Sequence, residues 1–269
     1  MIQRLRHQSD VAAVREDDPD FSGTLAKGLM ILQAFLRESR PYANSELAEL
    51  LGLPRPTVSR LCRTLLALGY LDRDERIDRY FIGPAAVALG YPYLASIGLR
   101  SQARPAMQAL ANQVRGAMSI GVAMGLDVVY VETCAYQRGT LAKPDVGALR
   151  SVATTAIGRA WLHSLDEPSR TEVLRELKAQ RPDEMARCAA AIDESLAMQE
   201  RRGFAVNFGD AGFGVQGVAL CSRIRHGTRY LIFNCAVPGT QVRAEELVDT
   251  LGPRLVDLVR RCERTAGIA

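Results

Sequence analysis

The chain is poor in the residues that most catalytic and metal sites require. It has three histidines, His7, His163 and His226, and none stands beside a cysteine or a second histidine. Its six cysteines, Cys62, Cys134, Cys188, Cys221, Cys235 and Cys262, include no C-x-x-C pair. They read as buried free thiols of a reducing cytoplasm, and no metal site is expected. Neither a G-x-S-x-G elbow nor an H-E-x-x-H pair occurs. His163 and Ser164 are neighbours on an expected helix and so point in different directions. No catalytic residue and no cofactor are expected. No apolar run reaches the ~20 residues of a membrane span, and the N-terminus lacks the apolar core of a signal peptide. The expectation is a cytoplasmic protein with no membrane partner. Charge of one sign is not in large excess either: the formal net charge is +4, too little by itself to argue for nucleic acid.

The distribution of charge says more. Between Leu50 and Leu71 there is no acidic residue, while Arg55, Arg60 and Arg63 all lie there. A helix over Asn44 or Ser45 to Leu51, stopped by Gly52, leads to a second helix that Pro56 starts and Gly69 ends. On the second helix Val58, Leu61, Cys62, Leu65 and Leu68 share one face. Thr57, Arg60, Arg63, Thr64 and Ala67 share the other. Aliphatics inside, with hydroxyls and guanidinium groups outside, is the layout of a DNA-reading helix-turn-helix. A helix before it should begin near Thr24 and bury Leu25, Leu29, Leu32 and Phe35 or Leu36. After it, Tyr70-Leu71 and Arg79–Ile82 frame a polar turn, a β-hairpin that makes the motif a winged one. Arg60 is expected to meet DNA in the major groove, with Arg55, Thr57, Ser59 and Arg63 beside it. Ser45 can touch a phosphate or simply cap its helix. Arg73, Arg76 and Arg79 in the wing can reach the backbone, although Asp72, Asp74, Glu75 and Asp78 offset much of their charge.

At 269 residues the chain is too long for a DNA-binding module alone, and about two domains are expected. Residues 1–20 read as a disordered lead-in, 21–83 as the winged helix-turn-helix, 84–98 as an apolar linker helix suited to a dimer contact, and 99–269 as a second domain. In that domain, strands are expected at Met118–Met124, Val128–Cys134, Phe204–Phe208, Val215–Ile224 and Tyr230–Val237. Ser151–Thr155 should be extended. Helices are expected at Leu99–Arg115, Ala156–Leu165, Glu167–Gln180, Pro182–Arg202 and Val242–Glu263. The mixed order indicates α+β, an antiparallel sheet flanked by helices. Gly212-Phe-Gly-Val-Gln-Gly217 matches G-x-G-x-x-G, but it leads into a strand with no helix to receive a pyrophosphate, so it reads as a loop. Arg138 and Lys143, in the loop from Gln137 to Gly147, could attract an anion.

Several segments together resemble the IclR family of bacterial transcriptional regulators, over roughly residues 22 to 262. They are Thr24–Leu32, Gly52-Leu-Pro-Arg-Pro-Thr-Val-Ser-Arg-Leu61, Tyr80-Phe-Ile-Gly83, Thr154-Thr-Ala-Ile-Gly-Arg-Ala-Trp-Leu162 and Arg202-Gly-Phe-Ala-Val206. The resemblance implies a GAF-like C-terminal domain that binds a small organic or aromatic acid. It also implies homodimers or homotetramers on palindromic double-stranded operator DNA. Carried over by position, the effector-binding residues are Ala156, Ile157, Asn207, Gly217, Asn234 and Ala236. Few of these are polar, which suits a more apolar effector such as an aromatic acid. The alternative is a ligand-independent DNA-binding oligomer whose C-terminal domain only assembles it.

Overall fold

The structure, a computed structural model, describes residues 20–38, 40–136, 145–210, 212 and 214–268. The lead-in up to residue 19 and the loop carrying Arg138 and Lys143 lie outside the described residues. The chain parts into two compact units between Ser96 and Ile97.

The first unit begins with α1 (Gly23–Arg37), α2 (Asn44–Leu51) and α3 (Arg55–Ala67). Ser22, not Thr24, caps α1 by accepting from the Leu25 N–H. The buried stripe of α1 is Met30, Ile31, Ala34 and Phe35, while Leu25, Leu29 and Leu36 are exposed. Of the expected stripe, Phe35 is buried and Leu32 packs against the core, while Met30 and Ile31, one and two residues past Leu29, take the inner face in its place. Gly52 ends α2 at φ 63°, in the left-handed region where a Cβ would be strained. Pro54 and Pro56 then set the start of α3. Val58, Leu61, Cys62 and Leu65 pack inward with Ile31, Leu47 and Leu71. Leu68, expected among them, is exposed at the C-cap, where the helix has already ended.

β1 (Leu71–Asp74) and β2 (Arg79–Ile82) pair antiparallel, from Leu71 opposite Ile82 to Asp74 opposite Arg79. The hairpin is stapled to the chain before α2 by a two-bond bridge. Tyr42 N–H donates to the Tyr80 carbonyl at 3.1 Å, and Tyr80 N–H donates back at 2.8 Å. α4 (Pro84–Ser96) follows and buries none of its residues.

The second unit is a six-stranded antiparallel sheet flanked by helices. Its strands are β3 (Ala117–Met124), β4 (Asp127–Ala135), β5 (Leu149–Ser151), β6 (Ala205–Asn207), β7 (Val215–His226) and β8 (Arg229–Pro238), in the order β5-β4-β3-β8-β7-β6. The α+β class read from the sequence is the class observed. Helices α5 (Leu99–Gln113), α6 (Ala156–Ser164), α7 (Glu167–Gln180) and α8 (Pro182–Arg202) lie where the periodicity placed them. The closing segment is not one continuous α-helix. α9 (Ala244–Glu246) passes through a π turn, Leu247–Leu251, into α10 (Gly252–Thr265). Gly252 sits at that junction because a Cβ there would lie 2.1 Å from the Phe204 ring.

α6 packs on the sheet and folds tightly against the turn that precedes it. Gly158 permits that turn: a Cβ there would meet the Val152 backbone at 2.1 Å. Ile157, Ala160 and Leu162 are fully buried against Val128, Tyr130, Ala219 and Ile232. All six cysteines are free. Burial pushes the thiols of Cys62 and Cys221 up to about 11 and that of Cys235 up to about 12, so none is a ready nucleophile.

Candidate DNA-reading face and effector site

Arg55, Arg60 and Arg63 are exposed on α3, with Thr57 and Ser59 half-buried between them. Among the described residues no carboxylate pairs with any of the three arginines. The neighbouring arginines differ. Arg40 binds Glu38 and Glu46, Arg73 binds Asp78, and Arg79 binds Glu46 and the Pro41 carbonyl. Arg76 lies 3.6 Å from Asp74 and is otherwise exposed. The unit thus neutralises the cations of the wing and of the α1–α2 connection, and leaves those of α3 for an external anion. Asn44 donates to the Arg55 carbonyl at 3.3 Å and fixes the start of α3 against α2. Ser45 is exposed in the first turn of α2 and caps nothing, since the cap position is Ala43.

Glu46 organises the unit and was not singled out from sequence. Its carboxylate accepts from the Ala43 N–H at 2.6 Å and from Arg40 and Arg79. These bonds, the Ala43 N–H first, hold its carboxyl below the usual range. A Glu at the third position of a helix, where it can reach back to the cap N–H, is the sequence signal that could have marked it.

In the second unit the strand register gives the positions of the expected effector residues relative to one another. Asn207 lies opposite Gly217, Gly217 opposite Ala236, and Ala219 opposite Asn234. Residues directly opposite or two apart share a sheet face. Asn207, Gly217, Asn234 and Ala236 therefore share the face that α6 covers. Ala117 and Ser119 of β3, opposite Ala236 and Asn234, extend this face with small side chains. Gly217 has no side chain, and a Cβ there would come within 3.1 Å of the Cys235 carbonyl and 3.6 Å of Asn234 Oδ1.

The roles within the set differ. Ala156 and Ile157 open α6 and are buried in the core between it and the sheet. Asn207 already makes two hydrogen bonds: its amide donates to the Thr154 carbonyl, and its Oδ1 accepts from Gly209 N–H at 2.7 Å. Asn234 is 5% exposed, and its side chain makes one long hydrogen bond, 3.5 Å from Nδ2 to the Tyr130 hydroxyl.

Next to this face lies Arg159, which sequence reasoning passed over. It is 1% exposed on α6. It donates to the Ala153 carbonyl at 2.9 Å, the Val206 carbonyl at 3.2 Å and Asp210 at 2.7 Å. One guanidinium so ties the turn before α6, strand β6 and the loop after it. An arginine inside the otherwise apolar Ala156–Leu162 run was the available signal. A cleft of about 310 Å³, lined by Gln113, Arg115, Gln241, Glu246 and Arg254 among others, lies elsewhere in this unit, beside α5 and the π turn.

The fold and the α3 face define a DNA-binding transcriptional regulator with an appended α+β domain. The "IclR helix-turn-helix domain" family matches residues 24–75, and the "Bacterial transcriptional regulator IclR C-terminal" family matches 91–264. The chain is 32% identical over 241 residues to the HTH-type transcriptional regulator TsaQ1/TsaQ2 of Comamonas testosteroni, covering 88% of this chain and 86% of that one. It is 32% identical over 165 residues to the Pca regulon regulatory protein of Pseudomonas putida, covering 60% and 56%. An IclR family transcriptional regulator from Brucella abortus has the same fold, with TM-score 0.87, 30% identity and 97% and 99% coverage. An IclR homologue from Microbacterium hydrocarbonoxydans, solved in complex with 4-hydroxybenzoate, shares it at TM-score 0.67 and 20% identity over 90% and 99% of the chains. The chain belongs to the IclR family of bacterial transcriptional regulators. These relatives are regulators, not enzymes.

Proposed function

We propose that this regulator reads operator DNA with the exposed face of α3 and that a small organic acid, aromatic in the favoured case, controls its affinity from the second unit. The observation that carries the reading is the convergence of Asn207, Gly217, Asn234 and Ala236, distant in sequence, on one small-residue sheet face beneath α6. The Microbacterium homologue supports the choice of acid, since its fold accommodates 4-hydroxybenzoate. The start of α6 adds partial positive charge on the same side of the sheet. On α3, Arg60 contacts base edges, while Arg55, Thr57, Ser59 and Arg63 hold phosphates or bases next to it. Ser45 meets a phosphate from α2. Arg73 and Arg79 approach the DNA only if they exchange their carboxylate partners for phosphate.

The active species is at least a dimer. Val87, Leu89 and Tyr91 of α4 are exposed, as are Leu25, Leu29 and Leu36 of α1. Apolar side chains on a helix that buries nothing suit contact with a second copy. Two copies would present two α3 helices to a palindromic site about 34 Å or a multiple apart. An acid changes DNA affinity only if it favours one arrangement of those helices over another. The test is isothermal titration against benzoates and short aliphatic acids, followed by an operator gel shift with any acid that binds. A bound acid that shifts operator affinity supports the reading; no binding by any acid favours a purely oligomerising domain.

A further inference from the structure

The buried sheet face carries a connected polar track that runs from Asn234 to the edge strand β5. Ser119 is fully buried, with its Oγ 2.8 Å from Thr133 Oγ1. Asn234 lies opposite Ser119 in the register and reaches the Tyr130 hydroxyl. Tyr130 stands on β4, two strands from Asn234 and so roughly 9.5 Å away in backbone terms. Its ring spans that gap across β3. Arg150 of β5 pairs with Val128, two residues from Tyr130, and therefore shares the same face. Its guanidinium lies 5.1 Å from the Tyr130 ring centroid and donates to the Leu149 carbonyl at 2.8 Å. Among the described residues Arg150 has no carboxylate partner. Two other half-buried arginines of this sheet region are engaged differently: Arg181 is clamped by Asp127, and Arg229 donates to the Ala123 carbonyl. Burial raises the Tyr130 hydroxyl pKa, and Arg150 opposes that rise, so the phenol stays a hydrogen-bond donor at neutral pH.

Such a track is expensive to leave without a ligand. A half-buried cation with no counter-ion and a buried amide with one long bond both lose solvation without full return. From this we infer that Arg150, with the Tyr130 hydroxyl beside it, is the anchor for the acid group of the effector. Asn234 and Ser119 then receive a second polar substituent, and the small residues Gly217, Ala236 and Ala117 make room for the body of the molecule. The ligand class this selects is a monocarboxylate that carries a second hydrogen-bonding group at its far end. The inference rests on the effector-binding reading above and adds which residue supplies the charge. Arg159 does not fill this role, because its donors already face two carbonyls and Asp210.

The experiment is calorimetric titration of the full chain with benzoate, 4-hydroxybenzoate, hexanoate and the neutral 4-hydroxybenzamide. It is repeated with Arg150→Met, Arg150→Lys and Tyr130→Phe. Thermal melts check that each variant folds; Arg150 is only half-buried on an edge strand, so its replacements should. The expected result is that Arg150→Met weakens the best carboxylate about 10–100-fold, the usual range for losing a charge-assisted hydrogen bond. Arg150→Lys should restore part of the loss, and the amide should bind Arg150→Met and wild type alike. Equal carboxylate binding by wild type and Arg150→Met would overturn the anchor while leaving effector binding intact. If wild type binds none of the carboxylates, the effector reading fails, and the anchor with it.

Discussion

Replacing Arg159 by methionine should loosen the second unit more than any other single change of a polar residue in it. The side chain is 1% exposed and donates three hydrogen bonds, to Ala153, Val206 and Asp210. Methionine fills much of the volume but leaves two carbonyls without that donor and strands the Asp210 carboxylate. Breaking a buried pair by removing one partner costs about 3–5 kcal/mol. The Asp210 side chain is 30% exposed and can recover water, which lowers the expectation to about 2–4 kcal/mol. For a domain of this length each kcal/mol moves the melting temperature about 2–4 °C, so a fall of about 4–16 °C is expected. Circular dichroism melts of the full chain read it directly. Asp210→Asn should cost less, because the amide oxygen still accepts from the guanidinium. A fall of less than about 2 °C for Arg159→Met would refute the claim that this residue ties α6 to β6 and the following loop.

Four further outcomes follow from the same structure. Arg60→Ala should weaken operator binding by about 1–3 kcal/mol in a gel shift and relax preference at one base position, whereas unchanged affinity would remove α3 from the groove. Gly158→Ala forces a Cβ to within 2.1 Å of the Val152 backbone, so the urea midpoint should drop by the equivalent of at least about 1–3 kcal/mol; an unshifted midpoint would contradict the close approach of α6. The Glu46 carboxyl has a lowered pKa in the folded state, so its contribution is present above its ordinary value and fades as pH falls through the lower folded value. Melts of wild type and Glu46→Gln should therefore differ at neutral pH and converge in acid, and a constant difference would argue against the pairing. Light scattering at micromolar concentration should show a particle at least twice the 29.4 kDa chain mass, and a monomer would leave the exposed apolar faces of α1 and α4 unexplained.

Much of the fold was legible because its signals are local. Pro56 and Gly69 bracket α3, Pro182 opens α8 and Gly203 closes it in the left-handed region, and near-continuous apolar runs mark the central strands. Where the reading slipped, two faces of a helix were nearly equal. In α1, leucines lie on both the inner and the outer side, so apolar spacing could not select Met30 and Ile31 over Leu29. The effector face was partly legible by family resemblance. What resemblance could not supply was the partnering of each group. The two bonds of Asn207 to Thr154 and Gly209 are not visible in the sequence. Nor is the pairing of Arg79 with Glu46, far from it in sequence. Arg150 and Tyr130 were passed over because their meeting depends on the β4–β5 register, which the sequence does not display.

An acid held in the second unit should change how the first unit grips DNA. Fluorescence anisotropy on a labelled duplex that the protein itself selects from a random library reads this change. The duplex is titrated with wild-type protein alone and with a saturating concentration of the tightest-binding benzoate. Operator affinity should change by about 5–150-fold, the range set by typical coupling energies. The same comparison with Arg150→Met should show no change at that acid concentration. Identical affinities for wild type with and without a demonstrably bound acid would contradict the account.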